Sequence, residues 1–197
     1  MTVSFTFPAL GFWERKFQVK TFVKDDRRVE RHPFLALEAL DQPGGAGREK
    51  LFEMLVLEGF QAGLSWECVL NKREAFSQAF DGFDLETVMA YDDEKLEALQ
   101  NDPGIIRNRL KIRAAVTNAA VFYEIQKEYG SFSEYLWGWT GGRVVCEKGR
   151  TSSPLSDAIS ADLKKRGMKF VGTTIIYAYL QAVGVIWAHE DGCFMEV

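Results

Sequence analysis

From Arg48 onward, the placement of caps and breakers leaves room for helices and little else. Glu49 to Gly59 carries apolar residues at 51, 52, 55 and 56, a spacing that gathers them on one side of a helix. Ser65 followed by Glu67 reads as an N-cap with an acid in the first turn, and Asp84 and Asp92 are further cap candidates. A long run from about Ile105 to Tyr129 stops at Gly130, after which Ser131 and Glu134 stand at capping-box spacing. Ser153-Pro154 opens a helix that Gly167 closes, and Thr173 to Val183 forms the last one, ended by Gly184. No segment sustains a period of two, so the expected class is all-α, with roughly seven or eight helices.

Residues 1–47 mix aromatic and basic side chains (Phe5, Phe7, Phe12, Trp13, Phe17, Phe22) and end in the loop signal Gln42-Pro43-Gly44-Gly45. They are expected to form a separate N-terminal segment ahead of a helical domain spanning 48–197. With 197 residues, 47% of them hydrophobic, the chain suits one globular domain and is too apolar for disorder. Its net charge of −4 offers no overall attraction for a polyanion. That sum hides an uneven distribution. Residues 51–100 hold 11 acidic against 3 basic groups, while Arg107, Arg109, Lys111 and Arg113 cluster, as do Lys164, Lys165, Arg166 and Lys169. Such clusters fit either a solvated helix face or a nucleic-acid footprint. Cys68, Cys146 and Cys193 are too few and scattered for a disulfide framework, and the N-terminus lacks the order of a signal peptide. A reducing cytoplasm is the expected compartment, and no stretch reaches the ~20 apolar residues of a membrane span.

Glu58 is the most unusual residue. It follows Leu55-Val56-Leu57 and precedes Gly59-Phe60, so a carboxylate ends the most apolar helix, beside small residues that permit close backbone approach. A desolvated carboxylate is enriched at functional sites; on the polar side of its helix the same residue would be an ordinary surface acid. Trp66 supplies either a flat wall to the same cavity or a core residue. Between Gly167 and Gly172 lies a short apolar hairpin, and the helix that begins after Gly172 offers unpaired N–H groups and a positive dipole end to a phosphate. His189 and Cys193, four apart, match the spacing of a zinc ligand pair, with His32 the only other histidine.

The segments Lys50 to Trp66 (with Leu57-Glu58-Gly59 and Ser65-Trp66), Gly104 to Ile112, Ser156-Asp157-Ala158, Leu163 to Thr174 and His189 to Cys193 closely resemble, in order, the 3-methyladenine DNA glycosylase I family. The resemblance implies a helix–hairpin–helix DNA glycosylase-like helical domain and a monofunctional base-excision repair enzyme that flips and hydrolytically removes 3-methyladenine. By the same resemblance Glu58 contacts the flipped base as the catalytic residue and Trp66 stacks on it. Gln61 and Leu64 enter the duplex where the base has left, and Lys169, Gly172, Thr173 and Thr174 hold the DNA backbone. The implied partner is double-stranded alkylated DNA, bound by a monomer that requires no cofactor. The N-terminus departs from the family pattern, which places a Cys and an Asp-Pro-Leu-Tyr-x-x-Tyr-His block there. Residues 1–90 contain no Tyr, and no Cys precedes Cys68, so His189 and Cys193 stand as half of a structural zinc site. That departure leaves three readings open: an active enzyme whose pocket is rebuilt from Phe34 or Trp13, a catalytically impaired relative acting as a DNA-binding module, and a mistranslated N-terminal segment.

Overall fold

The computed structural model describes residues 47–188. All but the last residue of the expected N-terminal segment, including His32, Phe34 and Trp13, and both candidate zinc ligands, His189 and Cys193, lie outside the described residues.

The described chain runs through α1 (Gly47–Gln61), α2 (Trp66–Leu70), α3 (Arg73–Ala79), a 3-10 turn (Asp81–Phe83), α4 (Leu85–Met89), α5 (Asp93–Asn101), α6 (Arg109–Tyr129), α7 (Phe132–Gly138), β1 (Val145–Cys146), α8 (Pro154–Lys165), α9 (Thr173–Ala182) and β2 (Ile186–Trp187). α1 is the central element: residues 51–60 are all buried, as expected of a helix covered on every side. α6 and α9 pack against it, and α4, α5 and α7 pack on α6. Aromatic rings join these layers. Phe52 meets Phe122 edge-on at 5.5 Å, and Phe122 stacks on Phe132 at 3.9 Å. Among the described acids of α1, Glu53 is matched by cations, Arg73 Nε at 2.6 Å and Lys50 Nζ at 2.7 Å, which also ties α3 to α1.

Most of the expected boundaries hold. Ser65, Asp84, Asp92 and Ser131 each accept a backbone N–H as N-caps, and Ser153 and Ser156 bond one another's N–H groups around Pro154. The segment after Ser65 is two helices, the second beginning after Lys72, which makes no side-chain cap and so leaves no mark in the sequence. One expected boundary differs. The long helix begins at Arg109 instead of Ile105: Asn108 Oδ1 accepts the Leu110 and Lys111 N–H groups at 3.1 Å, while Asp102 Oδ1 holds Gly104 N–H at 2.7 Å in a preceding turn. Among the described residues the all-α reading is amended only by the two-residue parallel pair of β1 and β2, too short to show any periodicity.

Candidate functional site

α1 delivers Glu58 to the interior, where the residue is 0% exposed. The surface-acid alternative is therefore excluded. Burying a carboxylate is costly enough that it persists only where something in the site requires it. Gly59 lies against the next feature, the α8–α9 hairpin: a methyl added at Gly59 would meet Phe170 Cβ at 3.5 Å and its carbonyl oxygen at 3.6 Å. Those are ordinary contact distances, so alanine fits, and the expected need for glycine is milder than the sequence suggested.

The chain leaves α1 through a loop that its own side chains shape. Gln61 Nε2 donates to Leu64 O at 2.9 Å, Leu64 N–H donates back to Gln61 O at 2.7 Å, and Gly63 takes the left-handed conformation (φ +80°) between them. The Gln61 amide thus braces the loop, while Leu64, 38% exposed, is left as an apolar side chain at its surface. Ser65 Oγ then accepts Cys68 N–H, and Trp66 enters the core at the first position of α2, 8% exposed. Glu58 and Trp66 are therefore both interior groups, separated by a braced turn.

The hairpin is fixed with equal care. α8 ends in a Schellman arrangement: Met168 N–H donates to Leu163 O at 2.9 Å and Gly167 N–H to Lys164 O at 3.0 Å, with Gly167 at φ +108°. Beyond it, Asn118 of α6 bonds Lys169 in both directions, Nδ2 to Lys169 O at 2.9 Å and Lys169 N–H to Oδ1 at 2.8 Å. Ser160 Oγ donates to Val171 O at 2.6 Å. Phe170 between them is held at φ +56°, unusual for a residue other than glycine. Lys169 and Thr174 are exposed, whereas the Thr173 hydroxyl is engaged by Ser156 and Asp157 and ties α9 to α8. What Thr173 offers an anion is its backbone N–H, one of the helix-start amides without an intrahelical acceptor.

The first basic cluster is not the continuous surface that its spacing suggested. Arg107, Arg109 and Arg113 are exposed, but Lys111 is buried: its ammonium donates to Phe60 O at 2.9 Å and Ala62 O at 2.6 Å, and lies 5.8 Å from the Phe170 ring. It caps the end of α1 just past Glu58, and desolvation lowers its pKa. In the second cluster Arg166 is committed to Glu128 and Asp162, leaving Lys164, Lys165 and Lys169 exposed. α1, α6 and the hairpin close so tightly that the cavity lined by Val56, Gly59, Lys111, Asn118 and Phe170 measures about 10 Å³, scarcely one water. Sequence reasoning missed Asn118 and misassigned Lys111; the available signal was their seven-residue separation, which places both on one face of α6.

A family model described as methyladenine glycosylase matches residues 42–196. The chain belongs to the methyladenine glycosylase family. Within that family it is 43% identical over 151 residues to DNA-3-methyladenine glycosylase 1 of Escherichia coli K12, covering 74% of this chain and 81% of the relative. It is 36% identical to DNA-3-methyladenine glycosylase of Haemophilus influenzae, with 74% and 82% covered. A crystal structure of 3-methyladenine DNA glycosylase I superimposes with a TM-score of 0.71 at 43% identity, covering 75% of this chain and 84% of that one. The enzyme from Staphylococcus aureus, in a structure concerned with 3-methyladenine recognition, gives 0.72 at 33% identity, with 75% and 82% covered. The predominantly helical, glycosylase-like fold expected from the sequence is thus the one observed. Among the described residues no group of three or more His, Cys, Asp or Glu could hold a metal, and no helix is long and apolar enough to cross a membrane.

Proposed function

We propose that this protein is a monofunctional DNA glycosylase that removes 3-methyladenine from alkylated double-stranded DNA. The observation that carries the reading is the fully buried carboxylate of Glu58, three residues before Gln61 opens the braced loop that leads to Trp66, in a chain 43% identical to a DNA-3-methyladenine glycosylase. Residues 48–197 form the glycosylase domain and residues 1–47 a divergent N-terminal segment.

The chemistry follows from the base. Methylation at N3 makes the glycosidically linked purine a cation, and an anion in a dry pocket favours that cation over a neutral adenine. As the bond between C1′ and the purine breaks, its electron pair goes to the base, which leaves neutral. Positive charge passes to the oxocarbenium-like sugar, and water adds at C1′ with loss of a proton. Glu58 faces the cationic base before the bond breaks and the oxocarbenium-like sugar as it breaks, Trp66 stacks on the extruded ring, and so good a leaving group calls for neither a lysine nucleophile nor a cofactor. Leu64 occupies the space left in the duplex, Gln61 keeps its loop in shape, and the amides at Gly172, Thr173 and Thr174 hold a phosphate with Lys169 beside it. His189 and Cys193 remain candidates for half of a structural zinc site. The protein acts as a cytoplasmic monomer on this reading.

The test is release of free 3-methyladenine from alkylated duplex, quantified by chromatography. Release with single-site kinetics is the expected result. Salt-dependent binding to a duplex containing an abasic analogue without any release would instead establish the catalytically impaired DNA-binding module.

A further inference from the structure

The base-reading segment and the hairpin belong to different parts of the chain, yet both are fastened to one face of α6. Two turns apart on that face, Lys111 holds the Phe60 and Ala62 carbonyls and Asn118 holds the Lys169 backbone. Asn118 is itself buried, so solvent does not compete for the partners of its amide. Both of its bonds go to the residue preceding Phe170, and Ser160 holds the carbonyl of the residue following it. Left-handed backbone at a residue with a side chain persists only where its surroundings over-determine it. Here two bonds on one flank and one on the other do so, and they set Phe170 beside Gly59, the immediate neighbour of Glu58.

We propose that Asn118 is a positioning residue that sets the DNA-gripping hairpin in register with the base-reading segment, so that a phosphate held at α9 and a base delivered to Glu58 belong to the same nucleotide neighbourhood. This rests on the functional reading given above. Asn118 touches neither the base nor the reacting atoms. Its contribution is to the distance between two binding elements, which predicts a specific division of effects: a free base needs only the pocket, whereas a damaged duplex needs pocket and grip in register.

The experiment compares wild type, Asn118→Leu, Asn118→Asp and Ser160→Ala in three assays: affinity for free 3-methyladenine by tryptophan fluorescence, affinity for a duplex carrying an abasic analogue, and single-turnover release from alkylated DNA. For Asn118→Leu the expected result is free-base affinity within twofold of wild type, duplex affinity lowered at least tenfold, and release at saturating DNA lowered at least tenfold. Asn118→Asp keeps the acceptor for Lys169 N–H and is expected to recover part of the duplex affinity, while Ser160→Ala shows the same division at smaller size. If Asn118→Leu loses its thermal transition, the other two variants decide by the same criterion. Equal losses in free-base and duplex affinity, or no loss in either, would overturn the inference. A wild type that releases no base and binds no duplex overturns the function and the inference with it. A wild type that releases base alongside variants of unchanged duplex affinity overturns the inference alone.

Discussion

Glu58→Gln is expected to lower single-turnover release of 3-methyladenine from alkylated duplex by roughly 10²–10³-fold, the usual loss when one preorganised electrostatic group is removed from a dry site. The substitution keeps the shape of the side chain and removes only the charge. Because Glu58 is fully buried, that charge is held at a desolvation cost, so the unfolding midpoint of the variant should be unchanged or higher. Loss of activity without loss of stability distinguishes a functional carboxylate from a structural one. Base release measured beside calorimetric unfolding checks both halves, and undiminished release would remove Glu58 from the mechanism.

The second large effect concerns stability. Lys111→Met keeps most of the apolar stem but strips the Phe60 and Ala62 carbonyls of their donor. Both lie at the end of α1, where carbonyls have no intrahelical partner. The buried Phe60 acceptor left unsatisfied costs about 1–3 kcal/mol, the half-buried Ala62 acceptor costs less because water can reach it, and some of that is returned because a desolvated ammonium is removed. A net destabilisation of about 1–3 kcal/mol is expected, read as a lowered midpoint in denaturant with an unchanged slope. A variant as stable as wild type would show that the caps contribute nothing.

How far the sequence could be read depended on whether the signal was local. Caps are local, and Ser65, Asp84, Asp92, Ser131 and Ser153 marked their helices, whereas Lys72, which caps nothing, hid the start of α3. Glu58 was legible because a charged residue inside an apolar run is unusual whatever the fold. Lys111 was misjudged for the converse reason. Among Arg107, Arg109 and Arg113 it looked like one more solvated charge, and only the packing of α6 against α1 shows that its ammonium points inward. Asn118 gave only its seven-residue spacing from Lys111, since an asparagine inside a helix announces nothing by itself about a backbone 51 residues away. Thr173 stands at the start of α9, as Gly172 marked, but nothing local showed that its hydroxyl is spent on Ser156 and Asp157.

The bonds that hold the hairpin also divide its amides by how readily they trade hydrogen with solvent. Lys169 has an exposed side chain, yet its N–H is bound to a buried acceptor and can exchange only when the hairpin lifts from α6. Four to six residues on, the N–H groups that open α9 lie at a helix start whose N-cap, Gly172, has no side chain to cover them. In deuterated buffer a single peptide spanning 168–176 should therefore label in two phases, the slow one reporting the attachment to α6. Adding a damaged duplex should slow the fast phase alone, so one stretch of chain separates the holding of the hairpin from what the hairpin holds.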